Sequence, residues 1–115
     1  MQVERLFVVK DAEIKIMKAV RLIVKKFHPE KIILFGSRGR GDARPDSDAD
    51  LLVVTKLRGS RHRLATRMRV CVSGIGISKD IVLVTPREFE LYKNVPGTIV
   101  YPALREGKVL YEIAS

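Results

Sequence analysis

The sequence predicts an α+β domain, a small β-sheet with helices packed on it. Three observations carry that reading. Apolar runs at 32–35, at 51–55 and at 81–84, the last opened by Asp80 and closed by Thr85, suit strands covered on both faces. Ahead of the first run, Ile16, Val20, Ile23 and Phe27 recur at helical spacing. Pro29, Gly36, Gly74, Gly76 and Pro86 punctuate the boundaries between these segments.

A chain of 115 residues makes one domain, 1–115, able to bury about two-thirds of its unfolded surface in a single core. Hydrophobic content of 46% with 30% charge is ordinary for a globular protein, and no apolar run approaches a membrane span. The first residues lack the apolar core of a signal peptide, so the expectation is a cytoplasmic protein without a membrane segment. A single cysteine, Cys71, excludes an internal disulfide framework, and His28 and His62 are too few to build a zinc site with it. The net charge of +9 attracts nucleic acid, nucleotides and acidic proteins alike. With four Phe, three Tyr and no Trp, the chain is poor in stacking surface for a dedicated single-strand binder. Direct RNA binding is therefore open but not favoured.

In chain order, residues 1–10 hold Val3, Leu6, Phe7, Val8 and Val9 without clear periodicity and read as an edge strand or an ordered arm. Asp11 is the expected N-cap of the amphipathic helix that follows, and Pro29 stops it. The first strand then ends abruptly at Gly36. Ser37 is placed to cap a short helical turn, with Gly36, Gly39 and Gly41 removing bulk where an oxyanion would approach the backbone. Arg38 and Arg40 add positive charge, so this turn reads as a polyphosphate cradle.

Asp48 and Asp50 follow at the mouth of the second strand. Residues two apart on a strand face one side, so their carboxylates project together while Ala49, Leu51 and Val53 take the other face. Two hard oxygen ligands suit Mg²⁺, which completes its octahedron with water and substrate phosphates. Asp80 opens the third strand as Asp50 opens the second, and an acid at the same end of a neighbouring strand would complete a three-carboxylate cluster.

Between them lies a segment, 56–69, with Lys56, Arg58, Arg61, Arg63, Arg67 and Arg69 and no acid. Ser60 caps a helix there, with Leu64, Met68 and Cys71 as its apolar stripe. Solvent exposure and an anionic neighbour, whether triphosphate, acidic partner or RNA, weigh about equally for those six charges. After the third strand, residues 86–94 predict a short helix carrying Phe89, Leu91 and Tyr92. Thr98 is the expected cap of a last helix, which Pro102 is expected to delay or kink and Gly107 to end. Residues 109–111 add a small edge strand.

Rival motifs fail on the same letters. No lysine follows Gly41 as a Walker A loop requires, Arg44 replaces the third glycine of a dinucleotide fingerprint, and Leu51 and Leu57 replace the glycine and glutamate of a calcium loop.

Gly36-Ser37-Arg38, a short loop, and Asp48-Ala49-Asp50-Leu51 resemble the GS…DxD signature of the DNA polymerase beta superfamily of nucleotidyltransferases. The signature stretch spans 32–54, and Asp80, on the strand 80–85, matches the family's third acid. The small size resembles the minimal branch, the MNT proteins paired with HEPN partners. That resemblance implies a polymerase beta-like fold with a small mixed sheet. It implies Asp48, Asp50 and Asp80 as catalytic metal ligands for two Mg²⁺ ions, and Gly36, Ser37, Arg38 and Arg40 as the contacts to ATP. It further implies AMP transfer onto a separate HEPN toxin, making this chain the antitoxin. Two other classes share these letters: a small-molecule nucleotidyltransferase of the drug-modifying kind, and a non-catalytic docking module. Gly39 stands where the family commonly has alanine, a change expected only to loosen the turn.

Overall fold

In the computed structural model, which describes residues 2–114 and the side chains from Asp11 onward, four strands form one mixed sheet. In chain order they are β1 (Lys31–Phe35), β2 (Ala49–Val54), β3 (Lys79–Val84) and β4 (Lys108–Glu112). The spatial order is β3-β2-β1-β4. β1 runs antiparallel to both β2 and β4, whereas β2 and β3 are parallel and are joined through a helix, as a parallel crossover requires.

Strand alternation sorts the core onto the two faces of the sheet. Ile32 and Leu34 of β1, Ala49, Leu51 and Val53 of β2, and Ile81 and Leu83 of β3 point one way. There they meet Ile16, Ala19, Val20 and Ile23 of α1 (Gln2–Phe27) and Ala65, Met68 and Val72 of α3 (Arg61–Val72). Ile33, Leu52 and Val54, with Val84, point the other way, onto Phe89 of α4 (Pro86–Tyr92) and Val100 and Ala103 of α5 (Val100–Glu106). A fifth helix, α2 (Gly36–Arg40), is a single turn directly after β1. No helix among the described residues is long and apolar enough to cross a membrane.

The strands and helices lie close to their expected places, with the following corrections. Residues expected as an edge strand or arm ahead of Asp11 belong to α1, which runs unbroken from Gln2. Asp11 is thus no N-cap; inside the helix it pairs with Lys15 one turn on, at 2.8 Å. Ser37 does not cap α2 either: Phe35 occupies the N-cap position in extended conformation, with no side-chain capping bond. Ile99, not Thr98, occupies the N-cap position of α5, with no side-chain capping bond, and Pro102 is accommodated in the first turn, where a helix needs no intrahelical N–H partner.

Other signals read directly. Ser60 caps α3 by accepting a hydrogen bond from the Arg63 N–H. α1 ends as His28 takes the left-handed conformation, φ 52°, ahead of buried Pro29. Thr85 and Glu88 form a reciprocal capping box at the start of α4.

Candidate active site

The site is built at the edge of the sheet where β1 ends and β2 and β3 begin. Gly36 turns the chain there with φ 66°, in the left-handed region that glycine enters without steric cost. The turn is also pressed against the acid: Phe35 pairs with Asp50 in the β1–β2 register, and a Cβ on Gly36 would overlap Asp50 Oδ2. Gly39 is buried. A Cβ there would come within 2.5 Å of the Leu34 carbonyl oxygen and 3.3 Å of Gly107 Cα. The family-departing glycine is therefore a packing requirement here, not a loosened turn. Gly41 closes α2 in left-handed conformation, its N–H and that of Asp42 both donating to the Ser37 carbonyl at 3.0 Å.

The loop from α2 to β2 is held from α2. Arg38 Nε and Nη2 donate to the Ser47 carbonyl at 3.0 and 2.8 Å, and Nη2 also reaches the carbonyls of Arg44 and Pro45 at 3.4 and 3.3 Å. Ser47 Oγ in turn accepts from the Arg44 N–H at 2.8 Å. The Arg38 guanidinium is thus committed to the loop that delivers Asp48, where sequence reasoning had placed it on the phosphates. Nothing in the sequence links Arg38 to those carbonyls.

Asp50 lies within β2 and is aligned with Asp80 of β3 in the parallel register. Both share the sheet face of Leu52 and Val82, and the Ala49 N–H donates to the Ser78 carbonyl at 2.8 Å, drawing the two strand starts together. Asp48 stands exposed just before β2, and Asp80 is also exposed. Asp50 is half-buried, and its carboxyl titrates above the usual carboxylate range: burial is the larger cause, then repulsion by Asp80 and by Asp48, with Arg40 opposing. Arg40 also pairs with Asp42 at 3.4 Å and Glu106 at 3.6 Å. Ser37 sits half-buried in the first turn of α2 beside Gly36.

The structure thus assembles Gly36, Arg40, Asp48, Asp50 and Asp80 around one place. The acids do not form a closed cage: among the described residues no group of three His, Cys, Asp or Glu side chains is gathered tightly enough to hold an ion alone. An open set of hard oxygens with mutual repulsion, beside a backbone turn cleared of side chains, suits a divalent cation that takes its remaining ligands from water and a phosphate-bearing substrate.

A mixed sheet with helices on both faces and three acids at its edge defines a nucleotidyltransferase fold. The chain belongs to the nucleotidyltransferase domain family, whose model matches residues 16–101. A candidate nucleotidyltransferase from Sulfolobus solfataricus, known from its crystal structure, is similar over 93% of this chain and 82% of its own, with 20% identity and a TM-score of 0.50; the likeness is one of fold. A crystal structure of a toxin-antitoxin with AMP-PNP is similar over 88% of this chain and 73% of that one, with 25% identity and a TM-score of 0.48. No curated protein matches the chain in sequence.

Proposed function

We propose that this chain transfers AMP from ATP to a hydroxyl group on a separate protein subunit, of the HEPN toxin type that accompanies the minimal nucleotidyltransferases its motifs resemble, and so acts as the antitoxin of the pair. The observation that carries the catalytic half is the parallel alignment of Asp50 with Asp80, beside the Gly36 turn and two residues past Asp48. The partner half rests on the resemblance of the GS…DxD stretch in so short a chain.

Asp48, Asp50 and Asp80 would hold Mg²⁺, which supplies positive charge to the triphosphate and to the leaving oxygen. The N–H groups of the turn at Gly36 and Ser37, with the Ser37 hydroxyl, bind the outer phosphates. Arg40 adds charge beside them, while Arg38 keeps the Asp48 loop in place. Asp80, exposed at the strand start, orients the acceptor hydroxyl and takes its proton. The hydroxyl oxygen forms a bond to the α-phosphorus as the bond to the β-phosphate oxygen breaks, and pyrophosphate leaves.

The test is incubation with α-labelled ATP, Mg²⁺ and extract from the source organism, beside an Asp48→Ala/Asp50→Ala control. Aspartate-dependent, protease-sensitive label on a protein partner is the expected result. Label on a small molecule would point to the drug-modifying class. No label with any nucleotide, from a folded protein, would leave a docking module.

A further inference from the structure

The acid cluster lies on one face of the sheet, and two helices with exposed Lys and Arg, α1 and α3, cover the other. Of the six cations at 56–69, two are occupied within the fold. Arg61 pairs with Glu88 at 2.8 Å and donates to the Leu83 carbonyl at 3.1 Å, and Arg69 reaches the Ile81 carbonyl at 3.5 Å. Arg63 and Arg67 are exposed on α3, opposite its buried Ala65, Met68 and Val72. Arg67 also lies 5.5 Å from the centre of the Phe27 ring at the end of α1, which joins the two helices into one outer surface.

On α1 the pattern repeats. Ile16, Ala19, Val20 and Ile23 are buried, and Lys18, Arg21 and Lys25, spaced at three and four residues, are exposed on the opposite side. From Lys18 to Lys25 this stripe runs about 10 Å along the helix. Among the described residues, none of Lys18, Arg21, Lys25, Arg63 and Arg67 makes an ion pair with a carboxylate.

We propose that this outer face of α1 and α3 binds a nucleic-acid duplex through its phosphates, independently of sequence and on the side of the sheet away from the acid cluster. Charge complementarity carries the assignment: two adjacent stripes of uncompensated cations match the dense, regular charge of a duplex. The composition of the face selects duplex over single strand. Among the described residues, no aromatic side chain stands exposed on either stripe to stack an unpaired base.

The test uses the whole protein in EDTA, which keeps metal-dependent phosphate binding out of the measurement, with a fluorescent 20-base-pair duplex followed by anisotropy. With five phosphate contacts, affinity should fall about 10²–10³-fold between 50 and 200 mM salt. Arg21→Glu/Lys25→Glu should weaken binding about tenfold or more. Lys93→Glu/Lys108→Glu, an equal charge change away from the two stripes, should weaken it less than about threefold. Arg21→Gln/Lys25→Gln, expected to lose about threefold or more, serves should the glutamate variant melt early. Equal loss from both glutamate variants would overturn the proposal, leaving only net charge. Tighter binding of poly-glutamate than of duplex would overturn it in favour of an acidic protein, and tighter binding of a single strand of equal length would overturn the duplex assignment.

Discussion

Asp50 and Asp80 are direct neighbours across the parallel β2–β3 pair, two carboxylates held on one sheet face at the start of their strands. Together with burial, this arrangement keeps the Asp50 carboxyl above the usual carboxylate range. The fold therefore works against its own charge at the place where chemistry is proposed.

Replacing Asp50 with Asn should separate stability from activity. The raised value means that the charged form is disfavoured in the folded state, so a neutral isostere should raise the melting temperature at pH 7, by about 2–5 °C. As the pH falls and Asp50 itself takes up a proton, the two proteins should converge. Nucleotidyl transfer should meanwhile fall by about 10²–10³-fold or more. Thermal melts from pH 4 to 7 and a labelled-ATP assay check both halves; a variant less stable at pH 7 would contradict the account.

Gly36→Ala should damage fold and site together. The φ of 66° is strained for alanine, and the new methyl would fall on Asp50 Oδ2. A loss of about 1–3 kcal/mol is expected in urea unfolding. Transfer activity should be lost even under conditions where the variant is fully folded.

Arg38→Lys keeps the charge and removes the fork that binds the carbonyls of Arg44, Pro45 and Ser47. If Arg38 positions the loop, lysine should rescue little. Endoproteinase Asp-N should cut before Asp48 several-fold faster in Arg38→Lys and Arg38→Ala alike, and both should lose activity. Full activity in the lysine variant would return Arg38 to a role as a simple phosphate-facing charge.

Glu88 carries an acid-sensitive share of stability. Its carboxyl is held below the usual range, first by the hydrogen bond from Arg61, then by the Thr85 backbone N–H. A lowered folded value means that this stability is complete above the ordinary glutamate range and lost as pH falls through the lowered value. Because Arg61 is 46% exposed and solvent screens the pair, the contribution at pH 7 should be modest, about 0.5–1 kcal/mol with the cap included. Glu88→Gln should flatten the decline in melting temperature between pH 5 and about 3.

Much of the fold was legible because its signals are local. The apolar runs of β1, β2 and β3 and the Ile16, Val20, Ile23, Phe27 stripe needed only neighbouring residues to read. The extension of α1 through residues 2–10 was not, since Val8 and Val9 carry strand preference and Asp11 is as good a cap as an internal helix partner. The Thr85-Pro-Arg-Glu88 box is present in the letters, but Thr85 reads equally well there as the end of a strand. The pairing of Asp48 with Asp50 is legible from spacing, but what surrounds these candidate acids depends on register. That Gly36 abuts Asp50, that Gly39 abuts Leu34 and Gly107, and that Arg38 reaches back across the loop are contacts between residues distant in sequence or turned by the fold.

Because β2 and β3 run parallel, Asp50 and Asp80 are separated in sequence by the whole of α3. An antiparallel hairpin such as β1–β2 can form early from local contacts, whereas a parallel pair must wait for its crossover to close. The third carboxylate thus joins the other two only once that crossover has closed. A chain in which that crossover is still open would carry the GS…DxD stretch without its third acid, so the repulsion of Asp80 on Asp50 would not burden the steps before closure.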